Sequence, residues 1–278
     1  MKKILLLLFV TTFSFAQEFQ GKAYYFSKTI LNGKLQVEDS GLKEEIDPEM
    51  EKLFQEALKK ASEKNYLLTF NKSECIYEQE QQLEKPKSAA GEMSISVSIS
   101  SSEGKKYINA KDKTSSTEDA IFGKEFLIVE PIEKPNWELV DESKKTGDYT
   151  CFKAKLLVPV SDKQKKEYEE FLKKEEIKPS LFKMQEPKDK TITAWYTPEI
   201  PVSFGPDNYW GLPGLILEIN EPELIILCSK VVLNTKGATI KVPNKGKKVS
   251  QKEFDAIQKK KYDSMKNEDG VIIFKSTN

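Results

Sequence analysis

The chain has 278 residues, with 44 basic and 44 acidic side chains and no histidine. Every basic residue is lysine, so guanidinium recognition of phosphate or nucleic acid is excluded. Without imidazole there is no Ser-His-Asp or Cys-His nucleophile and no imidazole-ligated zinc; carboxylate, Lys, Tyr or Cys chemistry remains.

Lys2 and Lys3 precede an apolar run from Ile4 to Val10, and Ser14-Phe15-Ala16 carries the small residues a signal peptidase requires. The run is too short to span a bilayer. Residues 1–16 are therefore expected to be a signal peptide, cleaved between Ala16 and Gln17. No cysteine follows that point to carry a lipid anchor. The expected product is exported across the inner membrane, periplasmic or extracellular, and soluble. Its 262 residues (278 − 16) suffice for one large domain. Its charge, 42 Lys against 44 acids, is −2.

Phe19 to Thr29 alternates and predicts a first strand. Asp47-Pro48 predicts a helix start, and Met50, Leu53, Phe54, Ala57, Leu58 and Ala61 form one apolar stripe. Tyr66–Phe70 and Ser73–Glu80 read as a hairpin turned at Asn71-Lys72. Residues 79–91 read as a loop. Met93, Ile95, Val97 and Ile99 alternate with serines and predict a half-buried strand. Lys105–Ala110, Ile121–Glu130, Trp137–Val140 and Gly147–Leu157 continue the strand series. Ser161–Glu176 is a charged helix with Tyr168, Phe171 and Leu172 on one side. Thr191–Tyr196, Leu215–Ile219 and Glu223–Leu233 are the last strands. Ser250 and Glu253 form a capping box before a final helix with Phe254, Ile257 and Met265. The pattern predicts an α+β fold on a large, curved antiparallel sheet, half-barrel-like. A helix follows the first strand, a charged helix is inserted, and a helix ends the chain.

Cys75, Cys151 and Cys228 are too dispersed for a CxxC pattern. Export permits a disulfide, yet an odd number leaves at least one thiol over, and buried free thiols fit equally well. No metal site, cofactor or catalytic constellation is expected.

The densest aromatic and Pro/Gly stretch runs from Ala194 to Asn220. Its hexapeptide Gly211-Leu212-Pro213-Gly214-Leu215-Ile216, the flanking Ala194-Trp195-Tyr196-Thr197-Pro198-Glu199-Ile200-Pro201 and Gly205-Pro206, and the upstream Tyr149-Thr150-Cys151-Phe152-Lys153-Ala154 carry a family pattern. On these residues the chain resembles the GLPGLI family of exported proteins of Gram-negative bacteria. The resemblance covers residues 17–278 as one domain and supplies no activity. The insertion at 161–190 departs from the family pattern. The strand, Pro-rich excursion and apolar strand also resemble the periplasmic lipoprotein carriers, in which a half-closed sheet covers an apolar cavity.

Pro213 and Gly214 fit a type II turn with positive φ at Gly214. Two readings of the aromatics follow: packed core, or an exposed rim of Trp195, Tyr196, Phe204, Tyr209 and Trp210 around a groove. The rim predicts a non-enzymatic binding module for an apolar, lipid-like or peptide-like ligand. The alternatives are a carboxylate enzyme on a polysaccharide, using Glu199, Asp207 and Glu218, and an assembly partner of an outer-membrane complex that docks through the insertion.

Overall fold

The computed structural model describes residues 19–30, 48–80, 105–177, 186–234 and 239–265. The expected signal peptide and the expected strand at Met93–Ile99 lie outside these residues. In chain order the elements are β1 (Gly21–Thr29), α1 (Pro48–Ser62), β2 (Glu63–Phe70), β3 (Glu74–Gln79), β4 (Lys106–Asn109), β5 (Thr114–Ile121) and β6 (Lys124–Pro131). There follow β7 (Glu138–Thr146), β8 (Tyr149–Val158), α2 (Asp162–Ile177), β9 (Lys190–Thr197), β10 (Leu215–Glu221), β11 (Leu224–Leu233), β12 (Lys247–Val249) and α3 (Gln251–Asp263).

All twelve strands among the described residues join one open sheet in the order β12-β6-β5-β4-β3-β2-β1-β11-β10-β9-β8-β7. Two antiparallel meanders, β2 to β6 and β7 to β11, thus flank the first strand. Only the short β12 runs parallel to its neighbour, β6. The architecture is the α+β type expected: a large sheet with a helix after the first strand, a second inserted between β8 and β9, and a third at the end.

Local chemistry explains the individual elements. At the β2–β3 turn, Asn71 Oδ1 accepts the backbone N–H groups of Ser73 and Glu74, each at 2.8 Å, which closes an Asx turn. Ser250 caps α3, and both bonds of its capping box with Glu253 are present. Two strands escape the sequence pattern. Thr-Ser-Ser-Thr-Glu-Asp-Ala-Ile of β5 shows no apolar alternation; pairing with β4 and β6 on both sides makes it a strand. The other, β12, is only three residues long.

One face of the sheet holds the core. Ala23 and Tyr25 of β1 are buried, with Leu68 and Phe70 of β2, Cys75 and Tyr77 of β3 and Ile108 of β4 beside them. Tyr66 and Tyr77 stack at 4.7 Å, and Tyr25 meets Tyr77 edge-on at 6.2 Å. A smaller cluster lies at the β6 end. There Phe254 of α3 packs edge-on against Phe126 at 5.5 Å, with Ile121, Ile128 and Val249 around them. Along α1, Leu53, Ala57, Leu58 and Ala61 of the expected stripe are half-buried. Tyr168 and Phe171 of α2 are half-buried, while Leu172 is 41% exposed. A Lys163–Asp255 ion pair at 2.7 Å ties α2 to α3.

Candidate functional site

Between β9 and β10 the chain leaves the sheet for residues 198–214 and folds back over the core face. Its own backbone bonds hold it together. Leu215 N donates to Ile200 O at 3.1 Å, Ile216 N to Phe204 O at 3.0 Å, and Gly211 N to Ser203 O at 2.8 Å. Phe204 and Trp210 form an isolated antiparallel bridge. The side chains then plug the sheet: Ile200, Phe204, Leu212, Leu215 and Ile216 are fully or almost fully buried. Tyr25 donates its hydroxyl to Ile216 O at 2.7 Å in the interior, so the first strand directly fixes the tenth. Burial raises the Tyr25 pKa and keeps that hydroxyl protonated.

The plug is tied down on both sides. Asp207, in a left-handed conformation at φ 54°, pairs with Lys106 of β4. Tyr209 donates to Glu221 of β10 at 2.6 Å. Burial first, then that carboxylate, raises the tyrosine pKa and keeps it a donor. The β6–β7 connection adds a strap. Trp137 donates from Nε1 to Trp210 O at 2.9 Å, and its ring lies 6.2 Å from that of Tyr209.

The two motif glycines have different tasks from those the turn rule assigned. Positive φ falls on Gly211, at +92°, and Gly214 is not among the positive-φ residues. Gly214 is needed for space: a Cβ there would stand 2.2 Å from Thr197 O. The expected type II turn with positive φ at Gly214 is corrected accordingly. The close approach depends on β9, which local sequence does not contain.

The five aromatics of the expected rim do not share one surface. Tyr196, Phe204 and Trp210 are buried, Phe204 completely. Tyr209 is half-buried at the plug margin. Trp195 alternates with buried Ala194 and Tyr196, so it occupies the other face of β9. There it pairs in register with Glu218 and Lys153, and Lys144 Nζ lies 4.3 Å from its ring centroid. Lys144 also bonds Glu218 at 2.6 Å. Trp195 and Trp210 therefore cannot bracket a single concavity.

The three acids of the enzymatic alternative are each engaged by a different partner. Glu218 faces Lys144, Glu199 accepts Thr150 N at 2.7 Å, and Asp207 faces Lys106 across the sheet. The cysteines are free thiols. Burial raises the pKa of all three, to about 11 at Cys228. Among the described residues there is no cluster suited to a metal, and no helix is long and apolar enough to cross a membrane.

Sequence reasoning missed a second apolar surface. Leu139, Phe152 and Val158 are 59%, 39% and 38% exposed. The register pairs Leu139 with Ala154 and Phe152 with Tyr196, and Val158 shares the parity of Phe152 in β8, so the three lie on the same sheet face as the plug. The signal was present in β8, where Phe152, Ala154, Leu156 and Val158 fall on alternate positions. The sequence did not show that these side chains stay exposed.

Residues 137–218 match the model of the family Porph_ging, described as a protein of unknown function. The match spans β7 to the first residues of β10 and contains the hexapeptide. No curated protein matches the chain. Among solved structures the chain is similar to PNGF-II in two crystal forms, with TM-scores of 0.49 and 0.48 and identities of 12% and 13%. Each alignment covers 88% of this chain, and it spans about a third of the length of PNGF-II (33% and 34%). LprF from Mycobacterium bovis aligns over 81% of this chain and 90% of its own, with 8% identity and a TM-score of 0.26.

Proposed function

We propose that this is an exported, non-enzymatic binding module whose ligand is an extended apolar polypeptide segment, taken at the open wing β7–β9. The exposed row of Leu139, Phe152 and Val158 beside the terminal strand β7 carries this reading. On the described residues β7 pairs only with β8, so its outer edge offers backbone donors and acceptors. An added strand bonds such an edge, and every second side chain of it reaches the apolar row. The charges of Glu138, Asp141, Glu142, Lys144 and Lys145 and the register shift between Val140 and Ser143 oppose indiscriminate pairing there.

A lipid held inside the sheet fits less well, because the plug fills the face that a carrier would leave hollow. Export rests on the pattern of residues 1–16. We read 17–278 as one domain carrying the insertion 161–190, which the joining of all strands in one sheet supports.

The test is fluorescence titration of the purified protein with a library of extended apolar peptides. Leu139→Ser with Phe152→Ser should weaken the best binder at least tenfold, about 1.4 kcal/mol. N-methylation of alternate peptide bonds should do the same, and Trp195→Ala should change little. Saturable uptake of a lipid probe that ignores these substitutions would refute the peptide reading.

A further inference from the structure

We infer that a second site, a polar cleft between β4–β6, the plug and α3, binds a neutral saccharide unit. Its floor is formed by Lys106, Ser115, Thr117, Asp119, Ile128 and Glu130. The registers Lys106↔Thr117, Ser115↔Glu130 and Thr117↔Ile128 place them on one face, the face that is apolar from β1 to β3. Asn208 of the plug and Gln251 of α3 form the walls. The space is about 220 Å³. That is below the ~300–1,000 Å³ of pockets for drug-sized ligands, and it suits one sugar ring or the end of a glycan.

Folding does not require this polarity. Valine or isoleucine at 115, 117 and 119 would continue the core and suit a strand better. A polar inner face set against an otherwise apolar one is the kind of local departure that accompanies a site.

The charges narrow the ligand. Lys106 is already engaged by Asp207, so an anion finds no spare counter-ion. Asp119 accepts Ala120 N at 2.7 Å and Glu130 accepts Gln251 N at 2.6 Å, each through one carboxylate oxygen. Asp119 lies opposite Phe126 and Glu130 opposite Ser115, four residues apart along β5. At ~3.3 Å per residue that is about 13 Å, too far for both acids to hold one point cation. The second carboxylate oxygens, the Thr117 hydroxyl and the Asn208 amide instead present acceptors and donors spread along a trough, with Ile128 as an apolar floor. Spread hydrogen bonding over a small apolar surface matches a neutral polyol ring.

Saturation-transfer NMR on the full mature chain, with a panel of free neutral mono- and disaccharides, tests this. At least one sugar should give a signal that vanishes in Thr117→Val with Asn208→Ala while the melting temperature is kept. Asn208 is exposed, so Asn208→Ala alone is the folding control and should weaken the signal several-fold. The Leu139→Ser, Phe152→Ser protein should retain the signal, which keeps this site distinct from the peptide wing. Silence across the panel, signals that survive the double substitution, or binding of spermidine in place of sugars would overturn the inference.

Discussion

Two excursions leave the β8–β10 region, and they behave in opposite ways. Residues 198–214, between β9 and β10, dive onto the sheet and become core. The α2 excursion, between β8 and β9, stands on the protein's surface, with Lys163–Asp255 as its side-chain tie to α3. Composition explains the contrast. The first carries Ile200, Val202, Phe204, Trp210 and Leu212 on a backbone stiffened by Pro198, Pro201, Pro206 and Pro213. The second is rich in Lys and Glu, whose burial without partners is unfavourable. Prolines thus mark an embedded excursion here, and charge marks a solvated one.

The largest break in this comparison should come from Trp210→Ala. The side chain is only 8% exposed, and loss of a buried Trp is expected to remove ~3–5 kcal/mol. Chemical denaturation measures it; a change under ~1 kcal/mol would mean that the plug is not core. Gly214→Ala comes next. The new Cβ meets the Thr197 carbonyl, and overpacking of this kind is expected to remove ~1–3 kcal/mol, near the upper end because the obstacle is backbone. An unchanged midpoint would show that the excursion can slide away from β9.

The tie of α2 should respond weakly, and to pH. A hydrogen bond from Lys163 lowers the Asp255 pKa, and the same bond raises that of Lys163. The Asp255 contribution is present above the unfolded Asp value of ~3.9 and fades as pH falls through the lower folded value. The Lys163 contribution is present below ~10.4 and fades as pH rises through its raised folded value. Both side chains are over a third exposed, so the pair contributes at most ~1 kcal/mol between those limits. Lys163→Ala should flatten the acid limb of the stability–pH curve slightly. The smallest effect is expected for Leu172→Ser on α2, within ~0.5 kcal/mol. A loss of ~2 kcal/mol would instead reveal a packed helix and remove the contrast.

The sequence by itself determined most of the elements. Period-2 alternation at Ala23 and Tyr25, the Asn71 turn, the Ser250 capping box and the charged helix before β9 are local patterns, and local backbone preferences suffice to express them. It also placed the hexapeptide at the entry to β10. Only the tertiary structure decided what that motif is for. Whether an aromatic faces solvent or core depends on what lies across from it, so Trp195 and Trp210, fifteen residues apart in the numbering, ended on different surfaces. The same holds for the glycines: the positive φ sits at Gly211, while Gly214 answers to Thr197 on the neighbouring strand. β5 became a strand because two neighbours left its backbone no other partners, and its polar inner face became a cleft because the plug and α3 arrive from distant parts of the chain. Contacts made across strands have no signature in the run of residues that makes up one strand, since their partners sit on other elements.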